Sequence, residues 1–298
     1  MPWVKIGSKE GLADEFKGLS SVDQKRLLPR GALPINILDI DELEATLNGV
    51  TGICPGKSGI KKEVVALEGY YPPKFGIWAT HRLYRVIYTV EEARMYVIAK
   101  QMTKRDGDKE FWALFYRFYD EPYMPVPYYF LYDSRLEREF KEVFGYFWMQ
   151  YIEHDINFEE YLLNWTIGKI DRLEFYNLGD LLRLLWSKGV KHNDLKGEHL
   201  LLKGDRWHLI DFEKFKHLKN PKDREDDLSI LIGDSTLFLD GYMRFHRIEF
   251  EGEIKKRYEE FVRAVLGEFG IDIRQNPHFK TFLGVIRSHG IRESAVFK

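Results

Sequence analysis

Apolar and polar residues follow two different rhythms along this chain, and the change between them divides it. From Glu63 to Met102 the apolar positions suit strands. Leu83-Tyr-Arg-Val-Ile-Tyr88 and Arg94-Met-Tyr-Val-Ile-Ala-Lys-Gln101 are β-branched and aromatic runs joined by a short polar connection. Further strands are expected at Val126 to Tyr132 and at Phe144 to Ile152. Beyond Ile156 the period lengthens to that of helices. Phe158 to Trp165 and Asp180-Leu-Leu-Arg-Leu-Leu-Trp186 gather apolar residues on one face, and Gly189 follows the second as a helix-ending glycine. Glu251 to Phe269 reads as an amphipathic helix rich in Glu and Lys.

Two stretches carry competing signals. Thr89-Val-Glu-Glu92 has the form of a capping box, which would start a helix running through Lys104 in place of the second strand. Glu110 can open a helix through Tyr119, or Arg105-Asp-Gly107 can turn a hairpin and make Phe111 to Tyr119 a strand. The first sixty residues read as helices and loops. Ser21-Val-Asp-Gln-Lys-Arg-Leu-Leu28 is limited by Pro29, and a second helix capped at Asp39 or Asp41 runs through Leu47 to the Asn48-Gly49 stop. The expected class is α+β. A helical and loop extension over 1–60 precedes a β-rich lobe with a crossing strand over 61–152 and a mainly helical lobe over 153–298.

Composition narrows the options only a little. Hydrophobic residues at 44% and charged residues at 31% of 298 support both a packed core and a solvated surface. A formal net charge of −2 selects neither nucleic acid nor membrane through a global field. The single cysteine, Cys54, excludes an internal disulfide and a multi-cysteine metal site, and suits a reducing cytoplasm. The opening Met1-Pro-Trp-Val-Lys-Ile6 lacks an apolar signal core, and no apolar run is long enough to span a bilayer. A soluble cytoplasmic protein is expected.

The chemistry concentrates in Gly189-Val-Lys-His-Asn-Asp-Leu-Lys-Gly-Glu-His-Leu-Leu-Leu202 and Trp207-His-Leu-Ile-Asp-Phe-Glu213. Two apolar runs, Leu200 to Leu202 and His208 to Ile210, flank a Lys203-Gly-Asp turn, which predicts a hairpin with a polar site on either side. Here the sequence resembles the protein-kinase superfamily. His192-Asn-Asp194-Leu-Lys196 looks like that family's catalytic loop, and Ile210-Asp211-Phe212 like its metal-binding aspartate motif. The resemblance implies a two-lobed kinase-like fold, ATP as phosphoryl donor, and Mg²⁺ or Mn²⁺. It further implies that Asp194 orients the acceptor hydroxyl, Lys196 neutralises the transferring group, Asp211 holds the metal and His192 braces the loop.

The same resemblance extends upstream. Val97-Ile-Ala-Lys100 is similar to the motif whose lysine reaches the nucleotide phosphates, with Glu110 as candidate partner. Tyr146-Phe-Trp-Met-Gln-Tyr-Ile-Glu153 looks like the hinge strand, with Met149 guarding the adenine pocket and the backbone of Gln150 and Ile152 bonding the base. Lys100, Gln150, Asp194 and Asp211 follow the family's order and separations, which favours a strand around Lys100. Asp226 or Asp227 would brace the catalytic loop.

Departures from the family are equally informative. His199 stands where kinases usually carry the second metal-binding Asn, as in lipopolysaccharide-core sugar kinases and some archaeal RNA kinases. Glu213 replaces the glycine of Asp-Phe-Gly and suggests a fixed metal site. The glycine-rich loop is missing as a motif between about Gly76 and Leu83, although a turn there with Arg82 can still meet phosphates. Gly52-Ile-Cys-Pro-Gly-Lys-Ser58 nearly spells a Walker A loop, but its glycine spacing and flanks fit a connector better. No peptide platform follows Asp211, so the chain looks most like RIO-type, lipopolysaccharide-core and archaeal transfer-RNA 2′-hydroxyl kinases. Basic residues at Lys214, Lys216, His217, Lys219, Lys222 and Arg224, with Arg287, His289, Arg292 and Lys298, leave RNA open as acceptor beside protein or a small alcohol. A nucleotide-binding pseudokinase scaffold and a non-catalytic RNA-binding protein are the alternative functions.

Overall fold

The computed structural model describes residues 3–6, 60–66, 83–90, 93–118, 121–133 and 144–274, with positions 276, 277, 279, 284 and 287. Its elements are of α+β class, and the chain divides into two compact units, one of 1–120 with 125–151 and one of 121–124 with 152–298.

The first unit is built on an antiparallel sheet. Its described strands are β1 (Trp3–Ile6), β2 (Ile60–Ala66), β3 (Leu83–Val90), β4 (Ala93–Thr103), β5 (Pro127–Asp133) and β6 (Phe144–Gln150), in the order β1-β5-β6-β4-β3-β2. Lys100 therefore sits on a strand. Ala93 faces Val90 across a tight hairpin, and the capping-box signal loses because β3 and β6 supply ladder partners on both sides of β4. The helix α1 (Lys104–Arg117) follows β4 directly, and the Thr103 hydroxyl accepts from the Asp106 N–H at 3.2 Å as its cap. Arg105-Asp-Gly107 is thus part of α1 and turns no hairpin, Phe111 to Arg117 is helical, and the helix begins six residues before Glu110. Phe111, Ala113, Leu114 and Phe118 are buried, and Phe111 meets Phe147 of β6 edge-on at 6.2 Å.

Trp3–Ile6 corrects the reading of the first sixty residues as helix and loop, because β1 pairs with β5 from Trp3↔Asp133 to Ile6↔Phe130. The helices expected at 21–28 and 41–47, the Gly52–Ser58 run and the segment before Leu83 lie outside the described residues.

The second unit is mainly helical. It contains α2 (Phe158–Thr166), α3 (Leu178–Ser187), α4 (Lys222–His246) and α5 (Gly252–Phe269). The leucines at 178, 181, 182 and 185 of α3 are fully buried, as its apolar stripe predicts. Trp165 and Arg257 clasp α2 to α5: the indole N–H donates to the Arg257 carbonyl at 2.9 Å, and the guanidinium lies 4.7 Å over the ring. Short strands complete the unit. β9 (Leu200–Lys203) and β10 (Arg206–Leu209) form the expected hairpin, β7 (Ile156–Asn157) lies on the other side of β9, and β8 (Val190–Lys191) pairs with β11 (Lys216–His217). Gly204 turns the hairpin at φ +60°, and the Asn177 side chain pairs with both backbone groups of buried Trp207. Among the described residues, no helix is long and apolar enough to cross a membrane.

Candidate functional site

The second unit gathers Asp194, Lys196, His199 and Asp211 around one loop and hairpin, and the way the chain holds them starts at the end of α3. Gly189, at φ +72°, turns the backbone out of the helix into β8. The loop after β8 is then fixed from beneath by Asp227 of α4. Its fully buried carboxylate accepts from the His192 N–H at 3.1 Å, the Asn193 N–H at 2.8 Å and the Trp186 indole N–H at 3.1 Å. Those donors hold Asn193 in the left-handed region at φ +64°. Burial pushes the Asp227 carboxyl up to about 6 against the pull of the same donors. Of the two candidate acids, Asp227 is therefore the one under the loop. Asp226 instead pairs with Lys191 of β8 and accepts from the Asn276 amide.

His192 is buried, with Nε2 3.0 Å from the Ile210 carbonyl and its ring 5.0 Å from that of Phe212. Burial first, and the charge on His199 second, push its imidazole down to about 4. The neutral ring donates from Nε2 and ties the loop to the segment carrying Asp211. His199, on the 3₁₀ turn Gly197–His199, is oriented differently. Its Nδ1 lies 2.9 Å from the Asp194 carbonyl, and its Nε2 lies 3.1 Å from Asp211 Oδ2. Burial opposes charge on this ring, but the Asp211 carboxylate outweighs it and raises His199 to about 9.

The pH dependence of stability follows with opposite signs for the two rings. His192 titrates below its ordinary 6.5, so its contribution is present above pH 6.5 and is lost as pH falls through 4, by about 3 kcal/mol at full extent. His199 titrates above 6.5, so its contribution is present below pH 6.5 and is lost as pH rises through 9. The Asp227 carboxyl, pushed up to about 6, loses its contribution as pH rises through 6 and offsets His192 over nearly the same window. Stability is therefore expected to change little between pH 4 and 6 and to fall as pH rises from 6.5 through 9. Urea denaturation across pH in chelator checks this, and stability that rises between pH 7 and 9 would contradict it.

Asp211 is itself strained. Strand β10 ends at Leu209, the Ile210 N–H donates to the His199 carbonyl at 3.0 Å, and Asp211 adopts φ +68°. That conformation is uncommon for a non-glycine residue, and it directs Asp211 Oδ2 toward His199. Asp194 sits on the other side of the His199 turn. Its Oδ2 is 2.8 Å from the Lys214 ammonium and 3.8 Å from that of Lys196. Lys196 is also 3.6 Å from Glu198. Burial opposes its charge, but Asp194 and Glu198 outweigh burial and raise its pKa. Glu213, buried, follows Asp211 by two residues.

Gly197 locks this loop against the helices. A Cβ there would lie 2.5 Å from Glu159 Cγ of α2 and 2.8 Å from Ser235 Oγ of α4. Gly197→Ala is therefore expected to destabilise the protein by about 1–3 kcal/mol, read by urea denaturation, because both neighbours are buried and packed. Unchanged stability would mean the loop can lift away freely.

The remaining candidates belong mostly to the first unit. Lys100 Nζ and Glu110 Oε2 form a buried ion pair at 2.9 Å, with side chains 5% and 0% exposed. α1, capped by Thr103, thus brings Glu110 to the lysine. Met149 lies opposite Ile98 on β6 and is buried. β6 stops at Gln150, short of the expected Ile152; the Gln150 N–H donates to the Val126 carbonyl at 2.8 Å, and its side-chain oxygen accepts from the Val126 N–H at 3.3 Å. The Gln150 N–H is therefore committed within the first unit. Ile152 belongs to the second unit, and its carbonyl lies 3.1 Å from His154 Nδ1.

Sequence reasoning missed the pairing of Lys214 with Asp194, and the roles of Lys191, Glu198 and Gly197. Only Lys214 carried a signal, as the residue next to Asp-Phe-Glu213. Of the C-terminal basic residues, Arg287 is described and exposed, and His289, Arg292 and Lys298 lie outside the described residues. Compared with known proteins, the chain matches no family model and no curated protein.

Proposed function

We propose that this chain is an ATP-dependent phosphotransferase of the atypical kinase type, with a two-lobed kinase-like fold, that transfers the γ-phosphoryl group to a hydroxyl. The observation that carries this reading is the gathering of Asp194, Lys196, His199 and Asp211 around one hairpin and a loop braced by Asp227. Phosphoryl transfer needs an oriented nucleophile and cations on developing charge more than it needs covalent chemistry. In the reaction the acceptor hydroxyl oxygen attacks the γ-phosphorus, and the bond to the β,γ-bridging oxygen breaks. ADP leaves with that electron pair, and the hydroxyl proton passes to the Asp194 carboxylate. Lys196 balances charge on the transferring group.

Asp211 and His199 would hold a divalent cation in place of the proton that His199 Nε2 shares with Asp211 Oδ2, 3.1 Å away. Bound there, such a cation supplies neutralisation of phosphate charge. The backbone carbonyl of Asp194 fixes the His199 tautomer, leaving Nε2 to point at Asp211. The softer imidazole donor favours Mn²⁺ over Mg²⁺.

A catalytically silent nucleotide-binding scaffold is the second reading, favoured by the hold of Lys214 on Asp194. Equilibrium ATP binding with and without Mn²⁺, followed by γ-labelled transfer to RNA, protein and small-alcohol acceptors, separates the two. A kinase binds ATP in a Mn²⁺-dependent way and labels one acceptor class. Metal-independent binding with no label transferred to any class would favour the scaffold.

A further inference from the structure

Resting on the phosphotransferase reading, we propose that the acceptor is a phosphate-bearing alcohol, and that Lys214 is the positioning residue that receives its phosphate. Lys214 Nζ lies 2.8 Å from Asp194 Oδ2 and is closer to that carboxylate than Lys196, at 3.8 Å. The two lysines differ in setting. Lys196 is the more enclosed, with a side chain 29% exposed, and is shared with Glu198, whereas the Lys214 side chain is 52% exposed. Exposed ion pairs contribute little net stability, so Lys214 can leave Asp194 at small cost.

An acceptor hydroxyl that binds at Asp194 Oδ2 exchanges places with the Lys214 ammonium. Lys214 then needs to move only a few ångströms, about the length of one hydrogen bond, and stands as a full positive charge beside the bound alcohol. A neutral alcohol offers that charge nothing, whereas a phosphate near the hydroxyl accepts a charge-assisted hydrogen bond from it. The chain beyond continues the same character: Lys216 and His217 on β11 and Lys219 after it are all exposed. Lys216 and His217 are held in register against Lys191 and Val190 of β8, so the cations lie on ordered backbone. The phosphate can come from an RNA backbone or from a small sugar phosphate, and the same chemistry recognises both.

Binding measures this without relying on turnover. The full-length protein, saturated with ADP, is titrated with a short single-stranded RNA and with ribose 5-phosphate, and with ribose as the neutral control. Wild type is expected to bind one of the two phosphate probes and to bind ribose far more weakly. Lys214→Gln should weaken that binding about tenfold, and Lys214→Arg should restore most of it. Asp194→Asn should tighten it about threefold, because it releases Lys214; a merely structural lysine would not produce this opposite sign. If RNA is the ligand, Lys214→Gln should also lower the salt slope by about one. The proposal is overturned if neither probe binds, if Lys214→Gln binds as wild type does, or if Asp194→Asn weakens binding as Lys214→Gln does. Failure of the underlying reading looks different: the binding pattern stands, but no label passes from ATP to any acceptor.

Discussion

An Asp211→Asn protein is expected to keep its fold and to lose phosphoryl transfer by about a thousandfold or more. The substitution removes the carboxylate nearest His199 Nε2, at 3.1 Å against 3.7 Å for Glu198, and with it the anionic half of the proposed metal-holding pair. Asparagine is the informative replacement because position 211 lies at φ +68°, a conformation that asparagine tolerates and alanine does not. Backbone strain is thus kept constant while the charge is removed. Without that carboxylate His199 loses the main cause of its high pKa, so less of the ring stays protonated at neutral pH. The measurements are label transfer from ATP, Mn²⁺ affinity and a thermal melt. Transfer at the wild-type rate, with a melt unchanged, would remove Asp211 from the mechanism.

Asp227→Ala is expected to be the most damaging substitution for the fold of the second unit, costing about 3–5 kcal/mol. The cavity itself is small. The larger cost is three donors, from His192, Asn193 and Trp186, left without an acceptor. Because two of them are backbone groups of the loop that carries Asp194, transfer should fall even where the protein remains folded. Asp227→Asn should lie between wild type and alanine, since its amide oxygen can still accept while its NH₂ opposes the remaining donors. Urea denaturation gives the stability, and a cost below about 1 kcal/mol would show that water replaces the carboxylate easily.

The parts of this molecule that were legible in the sequence are those whose partners are close in the chain. The β9–β10 hairpin announced itself through Lys203-Gly-Asp between two apolar runs, and Gly204 takes the left-handed turn there. α3 was readable from its leucine stripe and Gly189. The separation of Lys100 from Asp194 favours a strand over the local capping-box signal, and Lys100 lies on β4, paired on both sides by β3 and β6. What escaped notice depends on distant partners. β1 is four residues whose pairing lies at Phe130–Asp133, and nothing in Trp3–Ile6 points there. α4 runs to 25 residues, but it opens Lys-Asp-Arg-Glu-Asp-Asp, so its start reads as a solvated charge run. Two of those acids, Asp226 and Asp227, turn inward to Lys191 and to the loop. α1 was obscured by Gly107, a poor helix former that is buried within its first turn and a half.

At the candidate site, residue types were readable and their pairings were not. Asp194, Lys196, His199 and Asp211 stand out as polar residues around an apolar hairpin. Spacing alone could not tell that His199 would have its Nδ1 at the Asp194 carbonyl and its Nε2 at Asp211, or that Lys214 would sit on Asp194. These pairings follow from the 3₁₀ turn at Gly197–His199 and the strained Asp211, which depend on packing against α2 and α4.

The most direct test of phosphoryl transfer is to follow γ-labelled ATP, with Mn²⁺ and with each acceptor class, through wild type and Asp194→Ala side by side. Label should appear on one acceptor class with wild type, and at about a thousandth of that rate or less with Asp194→Ala. Equal labelling by the two proteins, or none by wild type on any acceptor, would contradict the assignment of this loop to phosphoryl transfer.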